Sequence, residues 1–230
     1  MQKLKRQETA VLLTSYEQND KCLKLLLLKQ LINVTLFAMK IVFATNNQNK
    51  LDEVKLLIPQ HINLLSLQDI GCNADIEESA TTLEGNAQLK ADYVTTNFGY
   101  PCFADDTGLL VASLNGEPGV LSARYAGEQK SSNDNMDKLL TALKDKKSRA
   151  ARFKTVIALN LEDQRKFFTG IVEGEIIHSK KGTKGFGYDP IFRPNGYNKT
   201  FAELSLQIKN SISHRGQAIK QLIDYLESIS

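Results

Sequence analysis

The sequence predicts a mixed α/β fold, and three of its features lead to that prediction. After Met39, short apolar runs typical of strands alternate with segments whose apolar residues have helical spacing. Two long β-rich runs, residues 151–161 and 166–178, are separated only by polar residues 162–165, which predicts a hairpin. No internal repeat, low-complexity tract or linker divides the chain after Met39. We therefore expect one elongated mixed sheet with two lobes, flanked by helices, and a cleft between the lobes.

The first part of this region predicts two strands and two helices. Residues 41–44 and 64–67 are short apolar runs, as expected for strands. Residues 49–58 are apolar at 51, 54, 57 and 58, the spacing of an amphipathic helix, and Pro59 ends it. A second helix is expected over residues 82–98. One side of it carries Leu83, Ala87, Lys90, Ala91 and Val94.

The next elements follow the same logic. The pattern predicts strands at residues 102–105 and 109–114, joined by a turn at Asp106-Thr107-Gly108. A third helix is expected over residues 132–143, before the hairpin. The final helix, residues 213–228, is the most strongly periodic segment and has Ser213 as its N-cap. Its apolar face carries Ile219, Leu222, Ile223 and Leu226.

Composition excludes several classes of protein. With 42% apolar and 24% charged residues, the 230-residue chain can bury a substantial core. A formal charge of +3 is too even to predict a nucleic-acid surface, so no nucleic-acid partner is expected. The three cysteines form no close pair, which fits a reducing cytoplasm, and the three histidines have no metal-ligand spacing.

The first 38 residues differ from the rest. Residues 23–38 are leucine-rich, but interspersed polar residues make this run too short to cross a membrane, so no membrane partner is expected. A basic start and a short apolar run are also found in signal peptides, although no convincing cleavage site follows. Met39-Lys40 precedes the first predicted strand, like the natural start of a cytoplasmic enzyme. We expect residues 1–38 to be a non-catalytic extension and residues 39–230 a single domain.

The segment Thr45-Asn46-Asn47-Gln48-Asn49-Lys50 lies where the first strand gives way to a helix. Backbone N–H groups and the positive end of the helix dipole would face an anion there, and Lys50 adds a full charge. The segment lacks the glycines of a Walker A loop. Taken alone, the segment is better explained as a simple helix N-cap made of Asn and Thr.

Asp105 and Asp106 end an otherwise apolar strand. Two carboxylates there are costly unless a cation or hydrogen bonds compensate them. Because consecutive strand residues point to opposite faces, only one is expected to reach the cleft, and Asp106, at the predicted turn, is the better candidate. For Asp105, a solvated acid in a capped turn remains an alternative.

Two further segments suggest a ligand. Phe186 and Tyr188 are interleaved with the glycines of residues 182–190, which suits stacking on a purine, although a tight turn packed on a core Phe is about as plausible. His214 and Arg215 fall in the first turn of the final helix. Basic residues there oppose the helix dipole, which indicates a negative or carbonyl-bearing ligand.

Together these segments resemble the signatures of the inosine triphosphate pyrophosphatase family, the non-canonical purine nucleoside triphosphate pyrophosphatases. The resemblance runs through nearly all of residues 39–230 and includes residues 118–127 and 199–204. It implies a Mg²⁺-dependent, cytoplasmic homodimer with its active site in the cleft between the lobes. It also implies a hydrolase that converts purine nucleoside triphosphates such as ITP, dITP and XTP to the monophosphate and pyrophosphate, removing deaminated purines from the nucleotide pool.

The resemblance also implies roles for individual residues. It places the general base on Asp106, a phosphate contact on Thr107, and a metal site on Asp106 and Glu84. Members often have two successive glutamates where this chain has only Glu84. The phosphate loop is expected on Thr45, Asn46, Asn47, Gln48, Asn49 and Lys50. Base and phosphate contacts are expected on Phe186, Gly187, Tyr188, Asp189, Lys209, His214 and Arg215.

Hypoxanthine and xanthine differ from adenine at the purine six-position, where they carry a keto oxygen, and at N1, which carries a hydrogen. We expect Arg215 or His214 to donate to the oxygen and Asp189 or a backbone carbonyl to accept from N1–H.

Two other functions are alternatives to this one. Asp106-Thr107-Gly108 matches the D-T-G of aspartic proteases, but that chemistry needs two such carboxylates on a nearly all-β scaffold. A nucleotide-binding module without turnover would have similar contacts but no need for Asp106.

Overall fold

The computed structural model describes residues 39–229. The chain divides into two compact units. One comprises residues 40–60 and 64–230 and contains the whole candidate site. Of the other, residues 1–39 and 61–63, only Met39 and residues 61–63 are described, as parts of the first two strands and the turn before the second. The predicted extension, residues 1–38, lies outside the described residues.

The described region contains seven strands and five α-helices. The strands are β1 (Met39–Phe43), β2 (Ile62–Leu65), β3 (Cys102–Val111), β4 (Pro118–Gly119), β5 (Ala150–Leu161), β6 (Gln164–Ile176) and β7 (Phe192–Pro194). The helices are α1 (Gln48–Lys55), α2 (Leu83–Phe98), α3 (Ser132–Ala142), α4 (Leu206–Ile212) and α5 (His214–Ser228). The predicted helices and hairpin are all present, whereas the short α4 was not predicted.

The strands form one mixed sheet in the order β2-β1-β3-β5-β6-β7, with β4 paired to β3. Strands β1 and β3 are parallel, and the β3–β5, β5–β6 and β6–β7 pairs are antiparallel. The predicted mixed α/β class, with a sheet flanked by helices, is confirmed. Gly170 of β6 allows close packing, because a Cβ atom there would lie 1.9 Å from the His214 carbonyl oxygen at the start of α5.

The predicted turn at Asp106-Thr107-Gly108 is wrong. Residues 102–111 form one continuous strand that pairs with β5 along its whole length, with Asp106 opposite Val156. The long partner strand holds the backbone extended, so the acidic pair lies in the middle of a strand instead of at its end. Gly108 allows β3 and β4 to approach each other closely, because a Cβ atom at this position would lie 2.8 Å from the Gly119 carbonyl oxygen of β4.

Two hydrophobic clusters flank the middle of the sheet. One gathers the C-terminal half of β3 with α3, β7 and the segment 188–204, including Leu109, Leu139, Phe153 and Phe192. The other packs α2 against β1 and the start of β3, including Val42, Ala91 and Cys102. Asp105 and Asp106 lie on β3 between these two groups of residues. No helix among residues 39–229 is long and apolar enough to cross a membrane.

Candidate active site

A cleft of about 850 Å³ runs along the middle of β3. It is lined by the end of β1, the start of α1, residues 75–78, α2, residues 122–132, the loop 186–189 and the junction of α4 and α5. Most of the predicted site residues lie along it. They are Thr45, Asn46, Asn47, Lys50, Asp106, Thr107, Phe186, Gly187, Tyr188, Asp189, Lys209, His214 and Arg215. Gln48, Asn49 and Glu84 do not line the cleft.

The predicted phosphate loop is a helix N-cap that opens into the cleft. Asn47 caps α1 by accepting the Lys50 backbone N–H, and its own N–H donates to Thr45 Oγ1 over 3.1 Å. The structure thus shows the N-cap geometry, and the same residues face the cleft. Gln48 is turned along the helix and donates to Asp52, which explains why it does not line the cleft.

Asp105 is buried and held by two cations. Its carboxylate accepts from Lys50 Nζ at 2.9 Å and from Arg215 Nε at 3.1 Å. Burial alone would raise the pKa of Asp105, but the charges of Lys50, Arg215 and Lys90 outweigh it and lower this pKa. The alternative of a solvated acid is therefore wrong for Asp105, because only 1% of the residue is exposed.

Asp106 has a different environment. Its Oδ1 accepts from the Thr107 N–H at 2.9 Å and its Oδ2 from Asn86 Nδ2 at 3.1 Å. Burial, helped by the negative charge of Glu78, raises its pKa, although Lys90 and Lys50 oppose the shift. Asp106 forms no direct ion pair with any residue in 39–229. As expected for neighbours in a strand, one carboxylate is internal and the other lines the cleft.

Asp105 belongs to a buried chain of ion pairs that joins five parts of the fold, namely α1, β3, α4, α5 and the loop 186–189. Arg215 of α5 also donates to Glu53 of α1. Glu53 in turn accepts from Lys209 Nζ of α4 at 2.7 Å, and Lys209 contacts Asp189 of the glycine-rich loop at 2.6 Å. Along this series of ion pairs positive and negative charges alternate, so each buried charge has a partner of opposite sign that offsets the cost of its burial. The residues of this ion-pair chain are, in order, Lys50, Asp105, Arg215, Glu53, Lys209 and Asp189.

The predicted metal ligand Glu84 and the cleft residue Glu78 occupy different places. Glu84 forms an ion pair with Lys154 at 2.7 Å, outside the cleft lining. Glu78 lines the cleft, contacts Lys90 Nζ at 2.6 Å and acts electrostatically on Asp106. Residues 39–229 contain no group of three or more His, Cys, Asp or Glu side chains placed to hold a metal. Asp106 and Glu78 still fit Mg²⁺, which commonly takes one or two carboxylates and completes its shell with water and substrate phosphates.

The rings of Phe186 and His214 line the cleft near the start of α5. Phe186 is half-buried, with Lys209 Nζ 4.9 Å and Arg215 Cζ 5.6 Å from its ring centre. His214 is buried and stacks on Phe153 with ring centres 4.6 Å apart. Burial and the nearby charges of Arg215 and Lys209 lower its pKa well below the ordinary value, so His214 is neutral near pH 7. Its Nδ1 has no hydrogen-bond partner among residues 39–229.

The other predicted contacts are partly engaged within the protein. Tyr188 is buried and donates its hydroxyl to the Ser122 carbonyl at 2.9 Å. Asp189 accepts the Phe186 N–H at 2.9 Å as well as Lys209. Thr107 Oγ1 lies 2.6 Å from Thr155 Oγ1. These contacts fix the shape of the cleft as well as line it.

Some cleft residues were not identified from the sequence, namely Glu78, Lys90, Arg124 and Phe153. Glu53, in the buried ion-pair chain, was also missed. For Lys90 and Glu53, the sequence contained a pattern that could have identified them. Lys90 is a charged residue on the apolar side of α2, and Glu53 lies between the buried Leu51 and Val54 of α1. A charge on a buried helix face requires a partner, and both partners prove to be in or beside the cleft.

The chain is similar to a group of bacterial proteins. The sequence model of the Ham1 family matches residues 41–225. A dITP/XTP pyrophosphatase of Flavobacterium johnsoniae is 63% identical over 188 residues, which cover 82% of this chain and 98% of that protein. One of Porphyromonas gingivalis is 49% identical over 81% of this chain and 97% of its own length. The solved structure of the Staphylococcus aureus Ham1 protein superposes with a TM-score of 0.76 at 42% identity, covering 83% of this chain and all of the other.

Proposed function

Because the chain belongs to the Ham1 family, we propose that it hydrolyses non-canonical purine nucleoside triphosphates to the monophosphate and pyrophosphate. The substrates are ITP, dITP and XTP, so the enzyme removes deaminated purines from the nucleotide pool. The observation that carries the proposal is Asp106, a buried carboxylate with no direct ion pair in the described region, in a cleft lined with cations. Relatives named dITP/XTP pyrophosphatase over nearly their whole length support the same substrates.

Asp106 is the general base. It accepts a proton from a water molecule as the water oxygen attacks the α-phosphorus, and the bond from the α-phosphorus to the oxygen bridging to the β-phosphate breaks. Pyrophosphate leaves with that oxygen, and the water oxygen remains on the monophosphate. The hydrogen bonds from Asn86 and the Thr107 N–H fix the carboxylate, so its orientation does not depend on the substrate. The raised pKa suits a group that must accept a proton.

Phosphate contacts come from the start of α1 and from β3. The N-terminus of α1 favours negative charge, Lys50 adds a cation whose charge is shared with Asp105, and Thr107 adds a hydroxyl. Asp106 and Glu78 would hold Mg²⁺, which neutralises developing phosphate charge and lowers the pKa of bound water when present. Glu78 and Glu84 each pair with a lysine, but only Glu78 lines the cleft, so we assign the second carboxylate to Glu78.

Base recognition rests on Phe186 and His214. The half-buried Phe186 ring offers a face for stacking on a purine. A neutral imidazole has one N–H, and an unpaired N–H is more costly at the buried Nδ1 than at a nitrogen that can reach a ligand or water. The proton therefore belongs on Nε2, where it can donate to the six-keto oxygen. Arg215 is less free for this role, because Asp105 and Glu53 already accept from its guanidinium.

The direct test is an assay of the purified chain with ITP, dITP, XTP, GTP and ATP in the presence of Mg²⁺. We expect equal amounts of pyrophosphate and monophosphate from the first three, and much slower turnover of GTP and ATP. Release of inorganic phosphate instead of pyrophosphate would contradict cleavage at the α-phosphorus. Tight ITP binding without turnover would support the binding module. Aspartic protease chemistry has no support in the site, since Asp106-Thr107-Gly108 lies inside a sheet strand of an α/β protein.

We also propose that the enzyme is a cytoplasmic homodimer whose catalytic domain is residues 39–230. The unpaired, buried Cys72 and Cys102 are compatible with a reducing compartment. The family match begins at residue 41, so removing residues 1–38 is expected to leave ITP hydrolysis and the melting temperature largely unchanged. A large loss of either would show that the extension supports the domain. Light scattering on a sizing column measures the oligomeric state.

A further inference from the structure

The cations along the cleft differ in how far carboxylates of the protein already neutralise them. Lys50 and Arg215 are both engaged by Asp105, and Lys209 is held between Glu53 and Asp189. These cations are therefore largely neutralised inside the protein before any ligand binds. Lys90 is likewise held, by Glu78 and by the carbonyl oxygen of Asp105. A triphosphate brings most of its charge on its outer two phosphates, which need cations with charge to spare.

Two cleft cations have such charge, and both come from the segment between β4 and α3. Arg124 reaches across to residue 78, where its Nη2 lies 3.6 Å from Oε2 and donates to the backbone carbonyl at 3.2 Å. Its ion pair is long, and Glu78 is shared with Lys90. Lys130 is exposed and has no ion-pair partner among residues 39–229. Both side chains belong to residues that line the cleft.

Hydrogen bonds anchor the part of this segment that carries Arg124. Ser122 Oγ donates to the Gly119 carbonyl at 2.6 Å and accepts the Leu109 N–H at 2.8 Å. The buried Asn135 of α3 accepts the Ala126 N–H at 2.6 Å and donates to the Ala123 carbonyl at 2.9 Å. Arg124 lies between these anchored points. Such preorganisation reduces the entropy cost of binding an anion.

We propose that Arg124 and Lys130 form the subsite for the pyrophosphate leaving group. On substrate binding, Arg124 donates to oxygens of the outer phosphates in place of its weak contact with Glu78. Arg124 contacts Glu78, which lines the same cleft as Asp106, so the subsite lies in the same cleft as the proposed general base. The inference rests on the proposed function, since it concerns the part of the substrate beyond the bond that is cut.

The test is product inhibition of ITP hydrolysis by pyrophosphate and by IMP, measured separately. Arg124→Ala is expected to raise the inhibition constant of pyrophosphate about tenfold, the effect of losing one charge-assisted contact of about 1.4 kcal/mol. Lys130→Ala should raise it about threefold, since an exposed cation is screened by water. The inhibition constant of IMP should stay unchanged in both. Lys147→Ala, an exposed lysine outside the cleft, is the matched control.

The outcomes separate this inference from the proposed function. If the unchanged chain does not hydrolyse ITP, the proposed function fails. If it does, the subsite is overturned when pyrophosphate does not inhibit, when both variants bind pyrophosphate as tightly as the control, or when IMP inhibition weakens equally. Arg124→Lys, which keeps the charge, should recover part of the pyrophosphate affinity. Equal losses in Arg124→Lys and Arg124→Ala, with a lowered melting temperature, would indicate a purely structural role.

Discussion

Arg215 Nε donates to Asp105 Oδ2 over 3.1 Å, and both side chains are buried at the contact between α5 and β3. Residues 110 positions apart in the sequence thus neutralise each other beside the cleft. The same carboxylate holds Lys50 at the start of α1. Asp105 is therefore the structural member of the acidic pair, and Asp106 the one free to act on a ligand.

Asp105→Asn is expected to destabilise the protein by about 3 kcal/mol, because it leaves Lys50 and Arg215 buried with one countercharge fewer. Urea unfolding at pH 7 measures the loss, and Asp145→Asn, on an exposed residue, is the control. The pKa of Asp105 is lowered in the folded state, so its stabilisation is present above the ordinary value of 3.8 and is lost as the pH falls below it. The difference between the two variants should therefore shrink in acid. A difference that is constant with pH would contradict the assignment.

Asp106→Asn should affect activity much more than stability. The pKa of Asp106 is raised on folding, so its ionisation costs stability progressively as the pH rises from the ordinary value of 3.8 through the folded pKa, and the neutral amide avoids that cost. The variant is expected to have about the same stability as the unchanged chain at pH 7, because relief of the buried charge is offset by loss of one of the two hydrogen bonds that the Asp106 carboxylate accepts. It should lose about 100-fold or more in kcat because the proposed base is gone. Unfolding curves and ITP turnover give the two readings. Turnover near the unchanged level would sink the assignment of Asp106.

The sequence predicted the periodic elements well, because α2, α5 and the β5–β6 hairpin are determined by local patterns. It failed at residues 106–108, where a turn-like triplet is kept extended by pairing with β5, a contact that lies far away in the sequence. The short α4 was missed because Ile208 and Leu206 are exposed and give no clear apolar face.

Most of the motif residues lie along one cleft, as expected, but their contacts with one another could not be predicted from local spacing. The link from Glu53 to Lys209 spans 156 positions and depends on how α1 packs against α4. Similarly, Glu78 lies in a segment without regular structure, so no periodicity indicates where its carboxylate lies. Glu84 shared a helix with Asn86 and Lys90, yet its side chain is directed to Lys154.

Comparing Glu78→Gln with Glu84→Gln tests which carboxylate completes the proposed Mg²⁺ site. Glu78→Gln should raise the Mg²⁺ concentration for half-maximal activity by about tenfold or more. Even removal of a hydrogen-bond partner of a metal ligand typically lowers metal affinity about tenfold or more. Glu84→Gln should leave it nearly unchanged, since that side chain forms a partly exposed ion pair outside the cleft. A shift only in Glu84→Gln would return the second ligand to Glu84.

The last prediction concerns base selectivity and compares Phe186→Ala with His214→Phe. Loss of stacking in Phe186→Ala should reduce kcat/KM for ITP and ATP together, by about 1–3 kcal/mol, because every purine presents a π-face. His214→Phe keeps a ring to stack on Phe153 but removes the N–H donor. It should lower kcat/KM for ITP and XTP much more than for ATP, which lacks a six-keto oxygen to accept that bond.

Arg215→Ala is a poorer probe of the base, because it would also leave Asp105 and Glu53 without a partner. Measuring kcat/KM for ITP, XTP, GTP and ATP on each variant, with melting temperatures to detect unfolding, separates these effects. Equal proportional losses for ITP and ATP in His214→Phe would show that His214 supports the cleft without reading the base. In that case the six-keto contact would have to come from a backbone group or from Arg215, and the neutral, unpaired Nδ1 of His214 would be a feature of packing alone.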